Sequence, residues 1–257
     1  MEFLRYIFGF DSDSPLLFTQ FYFWAFFALV YSVFAIIMEV GSRGAQEKGR
    51  NTRLHLRNIF LLAVSWFFYY KTSGLFLLIL VFITLSDWLI AERIHNARIE
   101  KRETRAKWWL TLSVVIDLGL LCYFKYAYFF TNVVNDLLGT EFVVFDIFAY
   151  IGNGLSASGR FMVDSIILPV GISFYLFQVM SYTIDVYRGQ VKPVKSILDF
   201  GFYVSFFPSL VAGPIVRANE FIPQLYRPFR LSRRLAGLAV FWILNGLIKK
   251  IVLSDYL

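Results

Sequence analysis

Long apolar runs set between clusters of basic residues leave this chain few folds to adopt. Leu16–Met38, Ile59–Ala91, Trp108–Phe130, Ile166–Tyr187, residues 197–216 and Leu235–Leu253 are all dominated by aliphatic and aromatic side chains. The run from Trp108 to Phe130 extends about 34 Å as a helix, enough to cross a hydrocarbon core. Mean hydropathy is +0.61 and only 17% of residues are charged. A soluble domain of that composition lacks the polar side chains to cover its surface. The chain therefore reads as all-α, a polytopic helical membrane protein. The 20% aromatic content suits interfacial belts and packing between helices.

The net charge of +7 sits in segments flanking the apolar runs. That placement is topogenic and argues against a nucleic-acid surface. One basic loop holds Arg43, Lys48, Arg50, Arg53 and Arg57, and another holds Arg93, Arg98, Lys101, Arg102, Arg105 and Lys107. Both are expected in the cytoplasm, in a membrane protein of several passes. Ile59–Ala91 is too long for one straight span, and Lys71-Thr-Ser-Gly74 predicts two short helices joined at Gly74. The N-terminus, with Asp11 and Asp13, and residues 131–164, with Arg160 as their single basic residue, then lie outside. Within the latter, 142–152 predicts a short interfacial helix and 152–159 a loop. No cleavable signal peptide is expected. Cys122 alone makes no intramolecular disulfide.

The stretch LPVGISFYLFQVMSYTIDVYRG (168–189), followed by YVSFFPSLVAGPIVR (203–217), is apolar enough for a bilayer yet carries Pro, Gly, Ser, Gln, Asp and Arg. Positive charge flanks 197–216 on both sides, and Pro208 with Gly213-Pro214 breaks a helix there. The segment is expected to be re-entrant, entering and leaving on the cytoplasmic side. Irregular backbone at membrane depth survives only when shielded by protein or lining a wet cavity. Ser173, Gln178, Tyr182, Pro208, Gly213, Pro214, Arg217, Lys249 and Lys250 are accordingly the candidates to line such a cavity. Interhelical hydrogen bonding is the simpler role for Ser173, Gln178, Ser181 and Tyr182. Arg217 suits either an anionic phosphate or a lipid headgroup. The helix carrying Lys249 and Lys250 is either broken at Gly246 or brings them to a polar cavity.

Charges at membrane depth are functional candidates by default. Asp87 lies near the expected cytoplasmic end of its helix, within reach of solvent. Asp117 and Lys125 share one span and either line one pocket or bind different partners. Asp185 and Arg188, three apart, are placed for an ion pair on one helix face. His55 and His95 fall in the basic loops, and no cluster suggests a metal site.

Several segments resemble the membrane-bound O-acyltransferases, and within them the alginate O-acetyltransferase-like branch. They are GISFYLFQ (171–178), SYTIDVYRG (181–189), YVSFFPSLVAGPIVR (203–217) and GLIKKIVLSDYL (246–257), with YFKYAYFF (123–130) and RNIFLLAVSWFFY (57–69) in support. The resemblance implies short and re-entrant helices around a central funnel or tunnel. It implies acetyl transfer to hydroxyls of an exported polysaccharide or cell-wall polymer, directly or through a periplasmic acyltransferase partner. The donor would be a co-substrate, acetyl-CoA or an acylated carrier, with no tightly bound cofactor. The family's histidine motif is matched by neither His55 nor His95. Residues 1–257 are thus expected to be the N-terminal part of one such domain, with the catalytic histidine beyond Leu257 and no activity in this part alone. D-alanyl transfer to teichoic acid, a polar-solute transporter and a non-catalytic scaffold for polymer export are the alternatives.

Overall fold

The structure, a computed structural model, describes residues 21–39, 47–148, 150, 166–211, 213–227 and 232–254. Among these residues it is helical and contains no strand. Helix α1 (Phe21–Glu39) lays Phe23 and Phe26 against Phe68 and Phe207. The expected start of this span, residues 16–20, lies outside the described residues.

Helix α2 (Glu47–Ser73) begins well before its apolar part. Lys48, Arg50, Arg53, His55 and Arg57, expected in a loop, form its opening turns. Lys and Arg are good helix formers, and no proline interrupts the run. The helix ends at Ser73, and Gly74, at φ 60°, starts a 3-10 turn over Gly74–Phe76. Left-handed backbone at that point suits glycine. Helix α3 (Leu77–Ile99) then runs back. Its two arms straddle one residue: a Cβ placed on Gly201 would lie 3.5 Å from Leu62 and 3.7 Å from Thr84. The predicted pair of helices joined at Gly74 is therefore a hairpin opened around a third element.

Arg93, His95 and Arg98 also lie on a helix, α3, rather than in the expected loop. The break is confined to residues 100–102, where Lys101 takes φ 56°. Helix α4 (Glu103–Leu138) runs 36 residues, about 54 Å. It overshoots the expected span at both ends: no proline interrupts it, the helix passes through Gly119, and it ends only at Gly139, left-handed at φ 63°. Beyond it the chain folds back. Asn135 Oδ1 accepts from the Phe142 N–H at 2.9 Å, and the Tyr123 hydroxyl donates to Asp146 at 3.0 Å. Of the short helix predicted over 142–152, residues 142–146 are not helical, while Ile147, Phe148 and Tyr150 are. Residues 151–159 lie outside the described residues.

Helix α5 (Ile172–Arg188) starts later than the expected Ile166, because Pro169 and Gly171 hold residues 166–171 out of helix. Gly171 takes φ 74°, and a Cβ there would collide with the Leu210 carbonyl. Ser196 caps α6 (Ile197–Ser205), accepting from the Asp199 N–H at 3.3 Å. Helix α7 (Phe207–Leu210) carries Pro208 in its first turn, and α8 (Ala218–Leu225) follows a non-helical stretch over 213–217. Helix α9 (Arg233–Ile248) buries no residue. It passes through Gly246 unbroken and turns π-helical at Lys249–Ser254.

The main core lies where α3, α4, α5 and α6 meet. Ile83, Ile94, Leu176, Tyr182, Phe200 and Tyr203 are fully buried there. The outward faces are apolar instead of polar, with Leu78, Phe82, Val115 and Phe129 more than half exposed. Such a surface suits lipid contact.

Candidate functional site

The stretch that stood out in the sequence forms a loop inside the bundle. Helix α6 enters between the arms of the hairpin, parallel to α2. Asn58 meets Asp199 near the entry, and seven residues further along α2 Ser65 Oγ accepts from the Phe207 N–H at 3.3 Å. The loop thus advances about 10 Å beside α2. It then reverses. The Tyr203 hydroxyl donates to the Val216 carbonyl at 2.9 Å, and the Tyr226 hydroxyl reaches Asp199 Oδ2 at 2.8 Å. Entry and exit are therefore side by side, as predicted for 197–216, but the returning limb continues to residue 227. Gly213 permits the turn, since a Cβ there would collide with Ser209.

A polar latch closes the loop. Asn58 Nδ2 donates to Asp199 Oδ1 at 2.8 Å, and Asn58 Oδ1 accepts from Arg57 Nε at 3.1 Å and Nη2 at 3.0 Å. Arg57 also donates to the carbonyls of Leu225 and Arg227. Arg57, Asn58 and Asp199 are all buried. Burial, the hydrogen bond to Asp199 and its charge together push the Tyr226 phenol above its ordinary range. Beside the latch is a cleft of about 180 Å³ lined by Leu54, His55, Asn58 and Tyr226. Sequence reasoning assigned none of these four to a site. The signal was present as Arg-Asn at the head of an apolar run, but its partners are about 140 to 170 residues away.

The expected cavity-lining residues separate into groups. Gln178 Nε2 donates to the Tyr203 carbonyl at 2.8 Å, and the Tyr182 hydroxyl accepts from the Val194 N–H at 3.0 Å. Both are buried: the first bond joins α5 to α6, and the second ties α5 to the linker between them. Ser173 is half-buried in the first turn of α5, and Ser181 bonds back to the Gln178 carbonyl at 2.8 Å. Pro208, Pro214 and Arg217 are exposed on the loop, and Arg217 sits at the N-cap of α8. Lys249 and Lys250 are exposed past the end of α9, away from this group. Among the described residues no three His, Cys, Asp or Glu side chains converge as a metal site requires.

The acidic residues depart most from expectation. Asp87, expected to reach solvent, is fully buried and accepts from Ser113 Oγ at 2.6 Å. Asp117 pairs with the neighbouring helix α3, but the side chain it meets is the Asp87 carboxyl. Lys125 is exposed over the Tyr126 ring at 5.5 Å, so the two do not share a pocket. No ion pair joins Asp185 to Arg188: the first is buried and the second exposed. Gly189 ends the helix one residue after Arg188, which leaves that side chain at the solvent edge.

Apolar outward faces around a proline- and glycine-broken loop define a helical membrane protein with a broken apolar segment folded back into its bundle. Comparison with known proteins narrows that class. The chain is 37% identical over 202 residues to a probable alginate O-acetylase of Azotobacter vinelandii and 36% identical over 202 residues to that of Pseudomonas aeruginosa. It is 27% identical over 223 residues to a peptidoglycan O-acetyltransferase of Helicobacter pylori. These matches take in 78%, 78% and 77% of this chain but 37%, 35% and 38% of the respective relatives. The chain thus spans little more than a third of their length. No family model and no solved structure matches. The similarities bear out the resemblance to the alginate O-acetylase-like branch of the membrane-bound O-acyltransferases.

Proposed function

We propose that this chain is part of a membrane-bound O-acetyltransferase that acetylates hydroxyls of an exported polysaccharide. The observation that carries the reading is the 37% identity over 202 residues to an alginate O-acetylase. In such a transfer the acceptor hydroxyl attacks the acetyl carbonyl, the donor's leaving group departs, and the hydroxyl proton passes to a base. The donor is acetyl-CoA or an acetylated carrier approaching from the cytoplasm. The chain crosses the inner membrane several times, with the basic ends of α2 and α3 inside. The loop 197–227 then opens on the cytoplasmic side, and its broken backbone forms one wall of the donor's path. Arg217, exposed at its returning limb, is the residue placed to meet a donor phosphate. His55 and His95, both on helices at the basic end, are not assigned the role of base.

A second acceptor is favoured by one observation, the match to a peptidoglycan O-acetyltransferase. One experiment separates the two. The gene is deleted in its bacterium, and ester-linked acetate is measured on exported polysaccharide and on peptidoglycan. Loss from polysaccharide alone, restored by the intact gene, is the expected result. Loss from peptidoglycan alone transfers the proposal to that acceptor. Unchanged acetate on both refutes acetyl transfer as its role.

A further inference from the structure

Asp87 of α3 and Asp117 of α4 are both 0% exposed. Asp87 lies twelve residues before the end of α3, about 18 Å from its basic end. Ser113, one turn before Asp117, donates to Asp87 Oδ1 at 2.6 Å and lies 3.2 Å from Thr183 Oγ1 on α5. Three helices thus converge on one polar point in an apolar core. Asp87 Oδ1 is the only carboxylate oxygen of the pair with a donor. Asp87 Oδ2 and both Asp117 oxygens meet none, yet the two carboxyls lie within hydrogen-bonding reach of each other. The ionisable group facing them from α5 is Tyr182, whose hydroxyl accepts from Val194. Asp185, further along α5, lies toward Tyr203 of α6. Among the described residues no Lys, Arg or His pairs with either aspartate, and Lys125 is exposed over the Tyr126 ring.

Two contacting carboxylates shut away from water and from cations do not both stay ionised. A single proton changes the arrangement. Bound to one carboxyl, it makes an O–H···O⁻ bond to the other and so engages two of the three orphaned oxygens. We propose that Asp87 and Asp117 form an intramembrane proton-binding site. It takes one proton from solvent, shares it between α3 and α4, and is braced from α5 through Ser113 and Thr183. The proton forms one O–H bond, breaks none in the protein, and leaves the pair with one negative charge in place of two. Its release would return two like charges to contact and loosen α3 from α4. The folded chain therefore holds a proton that the unfolded chain gives up, and stability falls as pH rises.

The test is infrared spectroscopy on the whole protein in lipid nanodiscs, wild type beside Asp87→Asn and Asp117→Asn. The wild type shows a protonated-carboxyl C=O band at neutral pH. Either single substitution removes that band while the protein stays folded, because the amide supplies the donor. Melting temperature falls with rising pH in the wild type and responds less in both variants. Absence of the wild-type band overturns the proposal, as does its survival in both single variants. So does unfolding of both variants, since asparagine imitates a protonated carboxyl. A melting temperature raised by sodium chloride but not by choline chloride also overturns it, by identifying a metal cation as the occupant.

Discussion

Asn58→Leu tests whether the latch holds the loop in place. Asn58 is 2% exposed, bonds Asp199 at 2.8 Å, and accepts from Arg57 at 3.0 and 3.1 Å. Leucine fills similar space but supplies neither donor nor acceptor. Each bond to a charged group is worth about 1.5–3 kcal/mol net. Removing one partner from buried charges costs about 3–5 kcal/mol, because the charges left behind remain desolvated. Arg57 keeps the carbonyls of Leu225 and Arg227, and Asp199 keeps Tyr226, so a loss near 3 kcal/mol is expected. Tyr226→Phe is the comparison. It removes one bond to the same carboxylate from a side chain that is 50% exposed, where water can replace the hydroxyl. Its expected cost is about 1 kcal/mol. The assay is reversible unfolding in mixed micelles titrated with sodium dodecyl sulfate. Equal costs for the two substitutions, or a negligible cost for Asn58→Leu, would refute the assignment of Asn58 as the centre of the latch.

Gly171→Ala should destabilise by at least about 2 kcal/mol, from left-handed backbone and the collision with Leu210. Gly139→Ala, left-handed but in open space, should cost about 1 kcal/mol in the same titration. Gln178→Leu strands the buried Tyr203 carbonyl and should cost about 1–3 kcal/mol, whereas Lys125→Ala should stay within about 0.5 kcal/mol. The raised Tyr226 phenol also fixes a sign. Its contribution is intact below the unfolded phenol's value of 10.0 and is lost as pH rises through the folded one. Thermal melts over an alkaline series should therefore decline less steeply for Tyr226→Phe than for the wild type.

The residues that disclose the fold from sequence are those acting on their own neighbourhood. Lys71-Thr-Ser-Gly74 announces the hairpin because glycine takes the left-handed backbone needed there without strain. Pro208, Gly213-Pro214 and flanking charge announce the loop because a broken helix and basic residues on both of its flanks are local facts. Helix ends were less legible. Charged residues at the start of α2 and the end of α3 read as loops, although they are good helix formers in the absence of proline. The latch and the carboxyl pair were hidden for another reason. Asp199 meets Asn58, and Asp87 meets Asp117, only after distant helices pack, and no local pattern encodes which buried polar groups will be neighbours. Asp87 shows the effect plainly: its position near a basic end suggested solvent, while packing by α4 and α5 removed it.

Cysteine labelling tests most directly whether the broken stretch is re-entrant. In a Cys122→Ser background, Lys192→Cys precedes the loop, Arg227→Cys marks its last residue, and Asp136→Cys marks the far end of α4. Intact cells treated with a membrane-impermeant maleimide should label Asp136→Cys and leave the other two unreacted until the membrane is opened. Labelling of Lys192→Cys and Arg227→Cys from opposite sides would make 197–227 a complete crossing and contradict the account.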